Sequence, residues 1–302
     1  MSGPANILLI GGSGFLSGTI ARQAVAQGHR VWAVTRGQRS LPEGVTGLVA
    51  DRHTPYALEQ AIADAGVTWD LVVDNIAYRP EDIVQDIAAL RDLARHLVFI
   101  STDFVYDPAR RRFPQTEDTE FYLAEGYGGQ KRQSELALIN GDTGNLAWTV
   151  VRPCHIYGPG SLLGCLPLHG RDPHLIERLR AGEALRLVGG GHFLQQPILA
   201  RDLADLILSL LGNPASYGQV LGAAGPDTVE SRTFYQIIAD NLGVPLTVEE
   251  VPVQAHLAAH PEAAPFLCHR IYDLSRLRAV GGKVPSTPLA VGLAEHVASL
   301  LA

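Results

Sequence analysis

Cysteine is scarce in this sequence. The chain has 302 residues, of which three are cysteine: Cys154, Cys165 and Cys268. An odd number with no C-x-x-C spacing fits neither a disulfide framework nor a zinc knuckle. Small, reduced, buried side chains in a cytoplasmic protein are the simple reading. Positive charge is also short. Lys and Arg number 24 against 31 Asp and Glu, a formal net charge of −7. That balance lacks the electrostatic footprint of a general nucleic-acid binder. The densest basic cluster, Arg110-Arg111-Arg112, reads as a solvated loop. No segment has about 18 uninterrupted apolar residues, so no membrane span is expected. No basic region precedes the apolar run from Ile7 to Ile10, and glycines interrupt that run at once, so no signal peptide is expected. Internal repeats and low-complexity linkers are absent. His169, His174 and His192 share one irregular stretch, but none has metal-ligand spacing, so no metal site is expected.

What is present is alternation. Short apolar runs at 6–10, 30–34, 47–50, 71–74, 97–101 and 147–152 read as strands. Amphipathic stretches at 15–27, 56–65, 81–94, 125–140 and 202–211 read as helices. Continuous apolar runs of four to six residues suit strands covered on both faces. Strand and helix in alternation imply an α/β fold with a doubly wound parallel sheet. Residues 1–165 are expected to form a dinucleotide-binding domain, with 192–225 returning to it. Residues 166–191 and 226–302 are expected to form a smaller, discontinuous substrate lobe.

The first strand runs into Gly11-Gly12-Ser13-Gly14-Phe15-Leu16-Ser17-Gly18. A sharp turn that lets the backbone approach a pyrophosphate needs glycine, and the following helix offers free N–H groups and a positive dipole end. Gly11, Ser13, Gly14, Phe15 and Leu16 are therefore candidate cofactor contacts. The second strand ends Thr35-Arg36-Gly37, where an NAD-preferring site would carry a carboxylate. Arg36 suits a 2′-phosphate, which favours NADP(H) with NAD(H) as the alternative. Asp51, followed by Arg52, comes after the third strand and can accept from an adenine amino group or cap the next helix. Asn75-Ile76-Ala77 follows the fourth strand and should pass beside the cofactor.

Tyr127 and Lys131 are four residues apart, one helical turn, and so face the same way. A neighbouring ammonium and a positive nicotinamide favour phenolate and make Tyr127 usable as acid or base near neutrality. Lys131 can also reach a cofactor ribose. Ser101-Thr102 closes the fifth strand, where Thr102 can hold the substrate oxygen beside Tyr127.

This ordered set resembles the extended short-chain dehydrogenase/reductases, the NAD-dependent epimerase/dehydratase family. It comprises Gly11-x-x-Gly14, Asp51, Asn75-Ile76-Ala77, Ser101 to Tyr106, Tyr127-x-x-x-Lys131 and Arg152-Pro153-x-x-Ile156-Tyr157-Gly158-Pro159-Gly160. Arg201-Asp202-Leu203-Ala204 and Tyr272-Asp273-Leu274-Ser275 extend it over nearly the whole chain. Thr35-Arg36-Gly37 and the C-terminal pieces look most like bacterial epimerase-like relatives of chloroplast stem-loop-binding proteins. The resemblance implies a Rossmann-type fold and further cofactor contacts from Ser101, Pro153 and Ile156. It also implies substrate contacts from Asp103, Phe104, His155, Gln195 and Arg270, and a homodimer.

The departures narrow the chemistry. Ser17 stands where a third glycine usually falls, so helix–strand packing there should differ. Family dehydratases usually carry Asp-Glu after the threonine; Asp103-Phe104 here disfavours dehydration, and the Ser101–Tyr106 run looks closer to ketoreductases. His155 stands where Asn is frequent. Gln195 stands where an Arg often clamps a substrate diphosphate. The implied activity is NAD(P)-dependent redox chemistry, or epimerisation, at a secondary alcohol or ketone of a sugar-nucleotide-like or other polar small molecule. The alternative is a non-catalytic dinucleotide sensor or RNA-associated protein on the same fold.

Overall fold

A computed structural model describes residues 3–165 and 171–302. His169 therefore lies outside the described residues, as do 166–170 of the expected substrate lobe. Six strands, β1 (Asn6–Ile10), β2 (Arg30–Thr35), β3 (Val45–Val49), β4 (Leu71–Asp74), β5 (His96–Ile100) and β6 (Ala147–Pro153), pair in parallel. A seventh, Gln219–Ala223, joins β6, giving the order Gln219–Ala223, β6, β5, β4, β1, β2, β3. Helices α1 (Phe15–Ala26), α2 (Ala57–Asp64), α3 (Pro80–Leu90) and α4 (Gly126–Asn140) connect them.

Side chains alternate across a strand, and both faces of this sheet are covered. Ile7 and Leu9 of β1 pack into one core with Ile20 and Ala24 of α1 and with Leu203 and Ile207 of helix Ala200–Ser209. Leu8 and Ile10 enter the opposite core with Leu58, Ile62, Ile83 and Ile87. That two-sided burial is why the strands read as continuous apolar runs. Strand order reverses beside β1, which lies between β2 and β4, and the glycine turn leaves β1 at that point. A ligand crevice forms where neighbouring strands send their connections to opposite faces.

Two boundaries differ from the periodicity. The strand expected at 47–50 begins at Val45, because Val45 pairs with Val31 of β2 and tolerates the internal Gly47. The helix expected to reach residue 94 ends at Leu90. Beyond it the chain is drawn to the sheet, where Trp69 N–H donates to the Leu93 carbonyl at 2.8 Å. Among the described residues no helix is long and apolar enough to cross a membrane.

A third core serves the C-terminal lobe. It joins Leu175, Leu179, Leu185 and Leu187 to Phe234, Ile238, Leu289 and Leu293. Short strand pairs, Ile156–Tyr157 with Ile198–Leu199 and Leu194–Gln195 with Val229–Glu230, stitch this lobe along the carboxyl ends of the sheet.

Candidate active site

The glycine turn is built for close approach. Gly11 has φ +81°, and a Cβ there would lie 2.7 Å from the Ile76 side chain. A Cβ on Gly12 would lie 2.3 Å from that of Ala33. Gly14 caps α1, and its N–H donates to Ser17 Oγ at 3.0 Å. Ser17 thus replaces the expected third glycine with a hydroxyl that pins the turn. The first-turn N–H groups of α1, including those of Phe15 and Leu16, lack i−4 carbonyls and form a cradle suited to phosphate. Across the crevice, Asn75 Oδ1 is buried with no hydrogen-bond partner. These features fit a dinucleotide.

Arg36 is exposed, just beyond the end of β2, and among the described residues it forms no salt bridge. Asp51 caps no helix: its Oδ1 accepts from His53 N–H at 3.0 Å, within a turn preceding α2.

Arg52 is held in an internal ion cluster. Its guanidinium is buried and donates to Asp74 Oδ2 at 2.7 Å, Asp86 Oδ1 at 2.9 Å and the Asp82 carbonyl at 2.8 Å. Burial and the adjacent Asp74 push Asp86 well above the usual carboxylate range, so it retains a proton. Burial works against an ionised Asp74, but Arg52 together with hydrogen bonds from Asp86 and the Ile76 N–H holds it below its ordinary value. Asp74 Oδ1 accepts from the N–H groups of Ile76 and Ala77, so the cluster fixes the turn beside the crevice.

Ser101 is likewise committed elsewhere. Its hydroxyl donates to Glu135 Oε1 at 2.5 Å, and Glu135 also takes a bidentate pair from Arg152 at 2.9 and 2.7 Å. Arg132 and Tyr106 complete this buried network, which ties α4 to the ends of β5 and β6. Glu135 was absent from the sequence expectations. Its place one turn beyond Lys131 on the same helix was the available signal.

Thr102, Tyr127 and Lys131 meet beyond β5. Thr102 Oγ1 accepts from Phe104 N–H at 3.2 Å and sits beside the Tyr127 hydroxyl. Tyr127 is 53 % exposed, its ring edge-on to Phe104 at 6.2 Å. Burial of its hydroxyl end and the neighbouring Tyr78 push it up to about 12. The Lys131 ammonium is held by backbone carbonyls. Lys131 Nζ donates to the Ala77 and Ile100 carbonyls, both at 2.8 Å, and lies near the rings of Phe99 and Tyr78, at 4.7 and 5.0 Å. Burial lowers its pKa to about 8. A hollow of about 600 Å³ opens beside Tyr127, lined by Tyr78, Arg79, Glu81 and Gln130.

Two glycines between Tyr127 and Lys131 also escaped the sequence reading. A Cβ on Gly128 would lie 2.0 Å from the Phe104 carbonyl oxygen, and one on Gly129 would lie 2.6 Å from the Ala124 carbonyl carbon. Only glycine lets α4 press against the turn that carries Thr102.

The remaining candidates line the lobe side. Pro153 is buried at the end of β6, and Ile156 pairs with Ile198. His155 is half-buried; burial, then Arg171, lowers its pKa to about 4, so it is neutral. Gln195 is fully buried with neither amide atom partnered. Asp103 is no free acid: it pairs with Arg270, Arg111 and the Tyr272 hydroxyl. Phe104 carries the Arg270 guanidinium 4.3 Å above its ring. Among the described residues no group of three or more His, Cys, Asp and Glu could hold a metal ion. His174 is exposed, and His192 pairs with Glu230 at 3.0 Å.

The chain is similar to known proteins in sequence and in fold. The chain is 27 % identical to a 2-alkyl-3-oxoalkanoate reductase of Stenotrophomonas maltophilia, across 93 % of this chain and 86 % of the relative. It is 23 % identical to the chloroplast stem-loop binding protein of 41 kDa b of Arabidopsis thaliana, over 74 % of this chain but only 60 % of that protein's length. A UDP-N-acetylglucosamine 4-epimerase from Methanobrevibacter ruminantium superposes with a TM-score of 0.80 at 18 % identity, covering 99 % of each chain, which shows a shared fold. Residues 7–221 match the model of the NAD dependent epimerase/dehydratase family, and the chain belongs to that family of short-chain dehydrogenase/reductase-type enzymes.

Proposed function

We propose that this chain moves a hydride between NADP(H) and the carbon of a secondary alcohol or ketone, with Tyr127 handling the proton. The observation that carries this reading is the convergence of Tyr127, Thr102 and Lys131 at the mouth of the glycine-turn crevice. A bound nicotinamide dinucleotide supplies the hydride acceptor or donor. Gly11, Ser13, Gly14, Phe15 and Leu16 hold its pyrophosphate through backbone groups, and Asn75 offers its unpartnered oxygen. Arg36 selects the 2′-phosphate, which favours NADP(H) over NAD(H).

Thr102 positions the substrate oxygen beside Tyr127. The high proton affinity of Tyr127 suits a donor to a developing alkoxide, which is the reducing direction. Lys131 holds its ammonium at the Ala77 and Ile100 carbonyls and presents it to the ribose. Asp103 is bound by two arginines and cannot serve as a proton carrier for dehydration. Exchange of the dinucleotide between turnovers gives net reduction or oxidation; retention gives epimerisation. Three free, buried cysteines accord with a reducing, cytoplasmic setting. A homodimer through α3 and α4 is part of the proposal; Val84 on α3 is 59 % exposed there.

The test is to identify by mass spectrometry the dinucleotide that co-purifies, then to titrate both cofactors into wild type and Tyr127→Phe. Dinucleotide binding kept by both proteins, with turnover lost in Tyr127→Phe, is the expected result. Binding of neither dinucleotide overturns the reading.

A further inference from the structure

The charges behind Phe104 do not balance. Arg111 and Arg270 each have side chains about 1 % exposed, and they share the single carboxylate of Asp103. Arg270 gives its other terminal nitrogen to the Pro265 carbonyl at 3.0 Å. Arg111 donates to the Tyr272 hydroxyl at 3.1 Å and the Asp103 carbonyl at 2.8 Å. Tyr272 is held neutral by burial and by Asp103. The Cys268 Sγ lies 3.9 Å from the Pro265 carbonyl. Two cations and one anion leave one buried positive charge. A net charge away from water is costly unless something pairs with it.

The hydrogen-bond inventory is incomplete at the same place. The Nε donors of Arg111 and Arg270 are both buried without an acceptor; Gln195 is buried with its Nε2 lacking an acceptor and its Oε1 lacking a donor. Gln195 belongs to the neighbouring strand: the Arg270 N–H donates to the Leu194 carbonyl at 2.8 Å. Buried donors and acceptors are ordinarily satisfied, so this concentration of unmet groups points to a ligand.

Aromatic rings separate this cluster from Tyr127. Phe104 lies between them, with the Arg270 guanidinium at 4.3 Å and the Tyr127 ring at 6.2 Å. Phe266, from the turn Pro261–Phe266, meets Phe104 edge-on at 5.3 Å. A substrate reaching from Tyr127 to the arginines must lay an apolar body along these rings.

We propose that the substrate of the Tyr127 site is a monocarboxylic acid with an apolar body. Its carboxylate would pair with Arg111 and Arg270, and Gln195 would meet a further polar oxygen. This rests on the redox reading above and deepens it. A nucleoside diphosphate carries more negative charge than this cluster can neutralise, and Gln195 adds none.

The test compares octanoate, octanamide and UDP as ligands of the NADP-loaded protein by calorimetric titration. The acid and the amide share a chain and differ in charge. Charge-assisted hydrogen bonds predict that octanoate binds roughly tenfold or more tightly than octanamide. In Arg111→Gln, which removes the excess charge, that preference should fall below about threefold. If this variant fails to fold, judged by its thermal melt, the wild-type comparison decides alone. Octanamide binding as well as octanoate, neither binding, or UDP binding more tightly than octanoate overturns the proposal. Loss of dinucleotide binding instead overturns the redox reading, while the acid–amide comparison is still read on the bare chain.

Discussion

Gly128→Ala is the sharpest probe of the catalytic geometry. The added Cβ would come 2.0 Å from the Phe104 carbonyl oxygen and 2.7 Å from its carbon, where ordinary contact begins near 3.4 Å. Both atoms are backbone, in the turn Asp103–Val105 that Thr102 caps, so no side chain can swing aside. Either α4 withdraws or the turn does, by roughly 1 Å or more. Tyr127 moves with α4 and Thr102 with the turn, so the two separate. Misplacement of about 1 Å at reacting groups costs on the order of a hundredfold in rate, or about 2.7 kcal/mol of barrier. Overpacking costs stability too, about 1–3 kcal/mol. Dinucleotide affinity should change little, because the glycine turn after β1 is untouched. Steady-state kinetics, a dinucleotide titration and a thermal melt separate these effects, with exposed Gln133→Ala as a control on the same helix. Folded Gly128→Ala with kcat within about threefold of wild type would refute the idea that close helix–turn approach positions the proton donor.

Three further outcomes follow from residues outside the reacting centre. Arg36→Ala should erase a preference for NADPH over NADH and leave NADH affinity nearly unchanged, read by fluorescence titration; an unchanged ratio removes Arg36 from cofactor choice. Arg52→Ala should destabilise the protein by roughly 3–5 kcal/mol in chemical denaturation, since it leaves buried carboxylates without their cation. An effect under about 1 kcal/mol would mean the cluster reorganises freely. His96 is fully buried and pushed down to about 4 from 6.5 by burial, with Nε2 at 2.8 Å from Thr149 Oγ1. Thr149 donates to the Ser216 carbonyl at 2.6 Å, so Nε2–H is the donor and the ring is neutral. Between those two values only the unfolded chain takes up this proton. Stability is thus full above pH 6.5 and falls as pH drops toward 4, by on the order of 3 kcal/mol from this group. Melts of wild type and His96→Asn across that range should diverge from this acid loss; parallel curves would contradict it.

The parallel sheet was legible because two-sided burial writes an unbroken apolar run for each strand. The glycine turn was legible because sharp turning restricts residue choice locally. Arg52 was not: Asp74, Asp82 and Asp86 reach it from elements far along the chain, and nothing near Arg52 announces them. Ser101 stood where expected, yet its hydroxyl serves Glu135. Gly128 and Gly129 look in sequence like weak points of a helix. Their reason is the carbonyls of Phe104 and Ala124, which only the folded molecule brings near. The Tyr127–Lys131 spacing placed both residues correctly, but spacing along a helix does not tell where a flexible ammonium ends.

The strand Gln219–Ala223 has a consequence for biosynthesis. Among the described residues it is the strand that pairs with the outer flank of β6, and it is made about 65 residues after β6. During translation, β6 therefore waits with a row of unpaired amides and carbonyls beside an apolar core. Such an exposed flank invites pairing with other nascent chains. Fragments ending near residue 160 should aggregate rather than yield a working nucleotide-binding domain. Slower, cooler expression should favour the full-length chain, whose own late segment seals the gap.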